Sequence, residues 1–91
     1  MSSPVILLVE DDPALRTLTT RALQENGYLV RPAGNAPEMW AGMEAGPVDL
    51  VLLDIMLPGT SGIELCRQIR QTNSVPIIFI SAKGSETDRV I

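Results

Sequence analysis

Three apolar runs divide the chain: Val5-Ile6-Leu7-Leu8-Val9, Leu50-Val51-Leu52-Leu53 and Val75-Pro76-Ile77-Ile78-Phe79-Ile80. None alternates apolar with polar residues, which is the pattern of strands covered on both faces in a parallel sheet. Tyr28-Leu29-Val30 is a shorter fourth candidate. Pro32, close behind it, cannot donate to a sheet ladder and places this strand near an edge or at its end.

Helical signals fill the intervals. Asp12 precedes Pro13 as an N-cap before a proline in the first helical position. Leu15, Leu18, Ala22 and Leu23 then recur at helical spacing, and Gly27 stands where a glycine C-cap belongs. Asn35 caps a second helix with Pro37 in its first turn; Met39, Trp40 and Met43 form its inner stripe, and Gly46-Pro47 stops it. Ser61-Gly62-Ile63-Glu64 has the spacing of a capping box. Ile63, Cys66, Ile69 and Leu65 are the candidate inner face of the helix that follows. Ser85-Glu86-Thr87-Asp88 reads as a further helix start. The order β-α-β-α-β-α-β, with another helix opening, predicts an α/β fold: a doubly wound parallel sheet with right-handed crossovers and helices on both faces.

Composition narrows the class of protein. The 91 residues allow one domain, and 45% hydrophobic with 20% charged residues is globular rather than disordered. A net charge of −4 speaks against this segment gripping nucleic acid or an anionic membrane. One cysteine and no histidine exclude a disulfide framework and a Cys/His zinc centre. No apolar run approaches the roughly 18–20 residues of a membrane span, and Met1-Ser2-Ser3-Pro4 lacks the basic start of a secretion signal. The expected location is the cytoplasm.

Chemistry-bearing residues fall at the C-terminal ends of the apolar runs. Glu10, Asp11 and Asp12 follow the first, Asp54 follows the second long run, and Ser81 follows the last. Open parallel sheets bind ligands at that edge, where strand order reverses. If the strands ending at Val9 and Leu53 are neighbours, Glu10, Asp11 and Asp54 converge. Clustered carboxylates need a proton or a cation to relieve their repulsion. An all-oxygen set selects a hard ion, Mg²⁺ ahead of Ca²⁺. Mg²⁺ keeps room for a phosphate oxygen, which suits phosphoryl transfer. Asp12 is accounted for by its capping position.

The segments Val9-Glu10-Asp11-Asp12-Pro13, Leu53-Asp54-Ile55-Met56-Leu57-Pro58-Gly59-Thr60-Ser61-Gly62 and Ile80-Ser81-Ala82-Lys83 resemble the receiver domain of two-component response regulators. The resemblance runs the length of the chain, and the middle segment is its most specific part. It implies the flavodoxin-like three-layer fold with strand order 2-1-3-4 ahead of a fifth strand. It implies that Asp54 is a phosphoacceptor for a sensor histidine kinase. It further implies that Glu10, Asp11, Asp54 and the backbone carbonyl of Met56 form the Mg²⁺ site, and that Ser81 is the switch hydroxyl. Ala82 is small where the phosphoryl group would approach, and Pro58 and Gly59 shape the loop after Asp54. On this reading the chain is a signalling domain rather than a turnover enzyme. The intact protein would control an output, expected to be transcription through a DNA-binding effector.

The resemblance also sets expectations about extent. It makes residues 1–91 a single receiver domain truncated before its fifth strand and fifth helix. Lys83, two positions after Ser81, is not in the place of the family lysine that pairs with the phosphoryl group. The expectation is therefore Mg²⁺ binding with poor phosphoryl uptake or none. It extends to self-association through an exposed fourth strand or the first helix. Two other readings use the same residues. One is an interaction-only fragment without phosphotransfer. The other is a Mg²⁺-dependent phosphohydrolase with an aspartyl-phosphate intermediate. The second expects an acid–base aspartate two residues past the nucleophile, where this chain has Met56.

Overall fold

The structure is a computed structural model, and it describes residues 3–80. Within them the chain runs β1 (Val5–Val9), α1 (Pro13–Glu25), β2 (Leu29–Ala33), α2 (Ala36–Glu44), β3 (Leu50–Asp54), β4 (Met56–Leu57), β5 (Thr60–Ser61), α3 (Gly62–Arg70) and β6 (Ile77–Ile80). The main sheet is parallel, in the order β2-β1-β3-β6. This is the expected 2-1-3-4 order, since β4 and β5 form a separate antiparallel hairpin. Ser81, Lys83 and the helix start at Ser85 to Asp88 lie outside the described residues.

Alternation along the strands sorts the side chains into two faces. Leu7 and Val9 of β1, Val51 and Leu53 of β3, and Ile77 and Phe79 of β6 join Met39 of α2 with Leu65 and Ile69 of α3 in one buried cluster. α2 can lie close because its Gly42 has no Cβ; one placed there would come 2.6 Å from Leu7 Cδ1. On the other face Leu8, Leu52 and Ile78 stand in register across β1, β3 and β6. Here α1 contacts β1 and β2. Leu8 is fully buried, whereas Leu52 and Ile78 are half-buried. The continuous apolar runs predict cover on both faces; among the described residues that cover is complete on the α2/α3 side only.

The helix ends follow their sequence signals closely. Asp12 accepts from the Ala14 and Leu15 amides at 2.9 and 3.1 Å. At the far end of α1, Tyr28 N–H donates to Leu23 O and Gly27 N–H to Gln24 O, with Gly27 at φ 93°. That pair of bonds is the Schellman C-cap, in which the left-handed residue is a glycine. Asn35 caps α2 through the Glu38 amide at 2.9 Å. Two details differ from expectation. Ile63 is exposed, so the inner face of α3 is Leu65, Ile69 and the half-buried Cys66. Ser61 accepts from the Ile63 amide, but Glu64 turns to Arg67 and Gln68 rather than back to the cap. On α1, Leu18 is 61% exposed.

Candidate functional site

The site is built by strand register. Leu8 faces Leu52 and Val9 faces Leu53 across β1 and β3. Two residues beyond Leu8 and Leu52, on the same face, come Glu10 and Asp54. Glu10 N–H donates to Ala33 O at 2.9 Å, which carries the β1–β2 ladder one residue past Val9. Glu10 is 1% exposed and Asp54 is fully buried. Asp11 is half-buried beside them. One carboxylate oxygen from each of Glu10, Asp11 and Asp54 lies within 4.8 Å of the other two. The convergence expected from the sequence is thus present.

The surrounding backbone holds these groups in place. Glu10 Oε2 accepts from the Asp12 amide at 3.0 Å, while Asp12 itself caps α1. Asp54 Oδ1 accepts from the Met56 amide at 3.0 Å. Met56 opens a tight hairpin: Met56 pairs with Ser61 and Leu57 with Thr60 around Pro58-Gly59. Gly59 has φ 79°, and proline followed by such a glycine is the residue order of a type II turn. Met56 is 59% exposed. Gly62 returns the chain beneath Asp54, donating to Ile55 O at 2.8 Å. A Cβ on Gly62 would collide with the Asp54 carbonyl oxygen and sit 2.9 Å from Ile55 Cα. Glycine is therefore required where the hairpin joins α3.

The electrostatics favour a cation. Burial pushes the Glu10 carboxyl above its ordinary range; the Asp12 amide opposes this, and the neighbouring Asp54 and Asp11 carboxylates reinforce it. Glu10 Oε1 is buried and meets no hydrogen-bond partner among the described residues. A buried carboxylate oxygen without a donor, beside two more carboxylates, fits a small hard cation. Three oxygen donors and no nitrogen or sulfur suit Mg²⁺.

Sequence reasoning missed one residue that contacts the backbone of the site. Arg16, one turn into α1, places Nη1 2.7 Å from Glu10 O and 3.4 Å from Asp11 O. The available signal was a cation four positions after the Asp12 cap, on the helix that opens from the acidic loop. Ser81 was expected at this edge and lies outside the described residues.

Comparison with known proteins agrees with the geometry. The response regulator receiver domain family matches residues 6–91. Transcriptional regulatory protein ResD of Bacillus subtilis (strain 168) is 48% identical over 86 residues, which are 93% of this chain and 35% of that protein. The chain thus spans about a third of the length of that curated relative. Response regulator protein TrrA of Thermotoga maritima, solved in complex with Mg²⁺–BeF, superposes with a TM-score of 0.81 at 39% identity, covering 89% of this chain and 71% of that one. A complex of histidine kinase ThkA with TrrA matches with a TM-score of 0.81 at 37% identity, over 93% of this chain and 74% of that one. Among the described residues no helix is long and apolar enough to cross a membrane.

Proposed function

Because the chain belongs to the response regulator receiver domain family, we propose that it accepts a phosphoryl group on Asp54 from a sensor histidine kinase, with Mg²⁺ held by Glu10, Asp11 and Asp54. The observation that carries this reading is the convergence of those three carboxylates within 4.8 Å at one end of a parallel sheet. Mg²⁺ at this site would neutralise charge on the transferring group and on the carboxylates that receive it. Asp11, Glu10 and Asp54, together with the Met56 backbone carbonyl, would hold it.

The chain's own residues supply position. The Met56 amide, 3.0 Å from Asp54 Oδ1, fixes the carboxylate, and the other oxygen acts as the nucleophile. That oxygen bonds to phosphorus while the phosphorus–nitrogen bond of the phosphohistidine breaks; the imidazole leaves with the electron pair, and Asp54 becomes an acyl phosphate. Burial of Asp54 and Glu10 lowers the local dielectric and strengthens each charge interaction there. Ser81, next in sequence after β6, is proposed as the hydroxyl that hydrogen-bonds the phosphoryl oxygen. Met56 stands where a phosphohydrolase would carry its acid–base aspartate, and a thioether moves no proton. This supports acceptance rather than turnover.

The 48% identity to a transcriptional regulatory protein supports transcription as the output that this domain controls. The kinase complex of a 37% identical regulator supports a histidine kinase as the partner.

The test is incubation with phosphoramidate, with and without Mg²⁺, read by intact mass. Slow uptake of one phosphoryl group is expected, dependent on Mg²⁺ and absent in Asp54→Asn. Uptake that survives Asp54→Asn, or that ignores Mg²⁺, overturns the reading.

A further inference from the structure

The acidic loop between β1 and α1 carries two of the three carboxylates, yet it lies past the end of the strand. The ladder reaches it only through Glu10 N–H, so the rest of its backbone must be held in other ways. Three ties are accounted for: Glu10 N–H on Ala33 O, the Asp12 amide on Glu10 Oε2, and the Asp12 cap on α1. The fourth is Arg16, whose Nη1 donates to Glu10 O at 2.7 Å and reaches Asp11 O at 3.4 Å. These are the carbonyls of the two carboxylate-bearing loop residues.

A cation beside a cation site is at first sight a disadvantage, because its field repels Mg²⁺. The structure nevertheless makes room for it. Gly34, just past β2, has no side chain, and a Cβ there would lie 2.8 Å from Arg16 Nη1 and 3.3 Å from Glu38 Oε1. Glu38 Oε1 accepts from the Gly34 amide at 2.6 Å. The guanidinium therefore lies between the acidic loop and the bare Cα of Gly34.

We propose that Arg16 is a positioning residue for the metal site: by fixing the Glu10 and Asp11 carbonyls it sets the backbone from which both carboxylates project, and Gly34 is the gap that admits it. The proposal rests on the reading of Glu10, Asp11 and Asp54 as the cation site. It goes beyond that reading by assigning metal affinity to a residue that does not touch the metal. Groups that orient metal ligands commonly control affinity by about 10–100-fold.

The two roles a cation can play here have opposite signs. If Arg16 acts only through its charge, removing it tightens Mg²⁺ binding. If it positions the loop, removing it weakens binding. A merely structural role lowers stability and leaves the affinity of the folded protein unchanged.

The test is calorimetric titration of the full chain with Mg²⁺ alone. For Arg16→Gln the expected result is a dissociation constant raised about tenfold, with Arg16→Lys partly restored because an ammonium can still donate to Glu10 O. Gly34→Ala keeps the guanidinium but pushes it from its slot, and is expected to weaken binding in the same direction. It keeps the proposal testable if Arg16→Gln does not fold. Arg67→Gln removes the same charge from a surface pair with Glu64 and is expected to leave affinity unchanged. Unaltered or tighter Mg²⁺ binding in folded Arg16→Gln and Gly34→Ala overturns the proposal. Failure of the unsubstituted protein to bind Mg²⁺ overturns the cation-site reading itself, and the assignment of Arg16 with it.

Discussion

Glu10 and Asp54 stand one residue beyond Val9 and Leu53, which face each other across β1 and β3, and both carboxylates are buried. Asp11 lies with them, and one oxygen from each of the three carboxylates lies within 4.8 Å of the other two. At such separations like charges repel by up to about 4 kcal/mol per pair at an effective dielectric near 20. Without a cation or a proton the site stores that repulsion.

Removing one of the three charges should therefore stabilise the metal-free protein. Asp54→Asn keeps the shape of the side chain and the acceptor for the Met56 amide. In chelator at neutral pH it is expected to raise stability by about 1–3 kcal/mol, which for a domain of this size is roughly 4–8 °C in Tm per kcal/mol. Thermal unfolding measures it; a lower Tm than the parent in chelator contradicts it.

Glu10 gives the pH dependence a definite sign. Burial raises its carboxyl above the ordinary value of 4.5, with the Asp54 and Asp11 carboxylates adding to the effect. Between 4.5 and the raised value the folded chain holds a proton that the unfolded chain has released. The metal-free fold therefore loses stability as pH rises through that window, and the loss is complete above it. Glu10→Gln should flatten this slope. Denaturant midpoints measured across the acid range in chelator test it, and an unchanged slope in Glu10→Gln counts against it.

Adjacent aspartates in the acidic loop should behave differently. Asp12 is a cap for α1, accepting from Ala14 and Leu15. Asp12→Ala is expected to cost about 1 kcal/mol of stability while Mg²⁺ still binds. Asp11→Asn should do the reverse, sparing the fold and weakening Mg²⁺. Melting curves of both variants with and without Mg²⁺ separate the roles; the opposite pattern would exchange the assignments.

Gly62 meets the Asp54 backbone without space for a methyl group. Gly62→Ala must move either α3 or the peptide that carries Asp54. Overpacking of this kind costs about 1–3 kcal/mol, and the displacement should also weaken Mg²⁺ binding. A variant with unchanged Tm would show that the hairpin yields at no cost.

Much of this site is legible in the order of residues along the chain. Continuous apolar runs ending in Glu10 and Asp54 specify parallel strands, and parallel strands bring their C-terminal ends to one edge. Local caps are equally legible, because Asp12, Gly27 and Asn35 act on their own chain neighbours. What the pattern misses depends on distant partners. Arg16 contacts the loop before its helix and a slot left by Gly34, which is remote in sequence. Ile63 has the spacing of an inward residue, but Gly62 packs on the Asp54–Ile55 backbone, and Leu65 and Ile69, three and seven residues on, share its buried face. The half-covered Leu52 and Ile78 look the same in sequence as the buried Leu53 and Phe79, since covering depends on which helix lies above them.

If Glu10, Asp11 and Asp54 act together as a Mg²⁺ site, folding and Mg²⁺ binding are linked. The most direct measurement is Tm against Mg²⁺ concentration for the parent chain, Asp11→Asn and Asp54→Asn. A ligand bound only by the folded state stabilises it by RT ln(1 + [L]/Kd). Millimolar Mg²⁺ is expected to raise the parent Tm in a saturable way, and both variants are expected to lose most of the rise. A parent Tm indifferent to Mg²⁺, or variants that respond as fully as the parent, would contradict it.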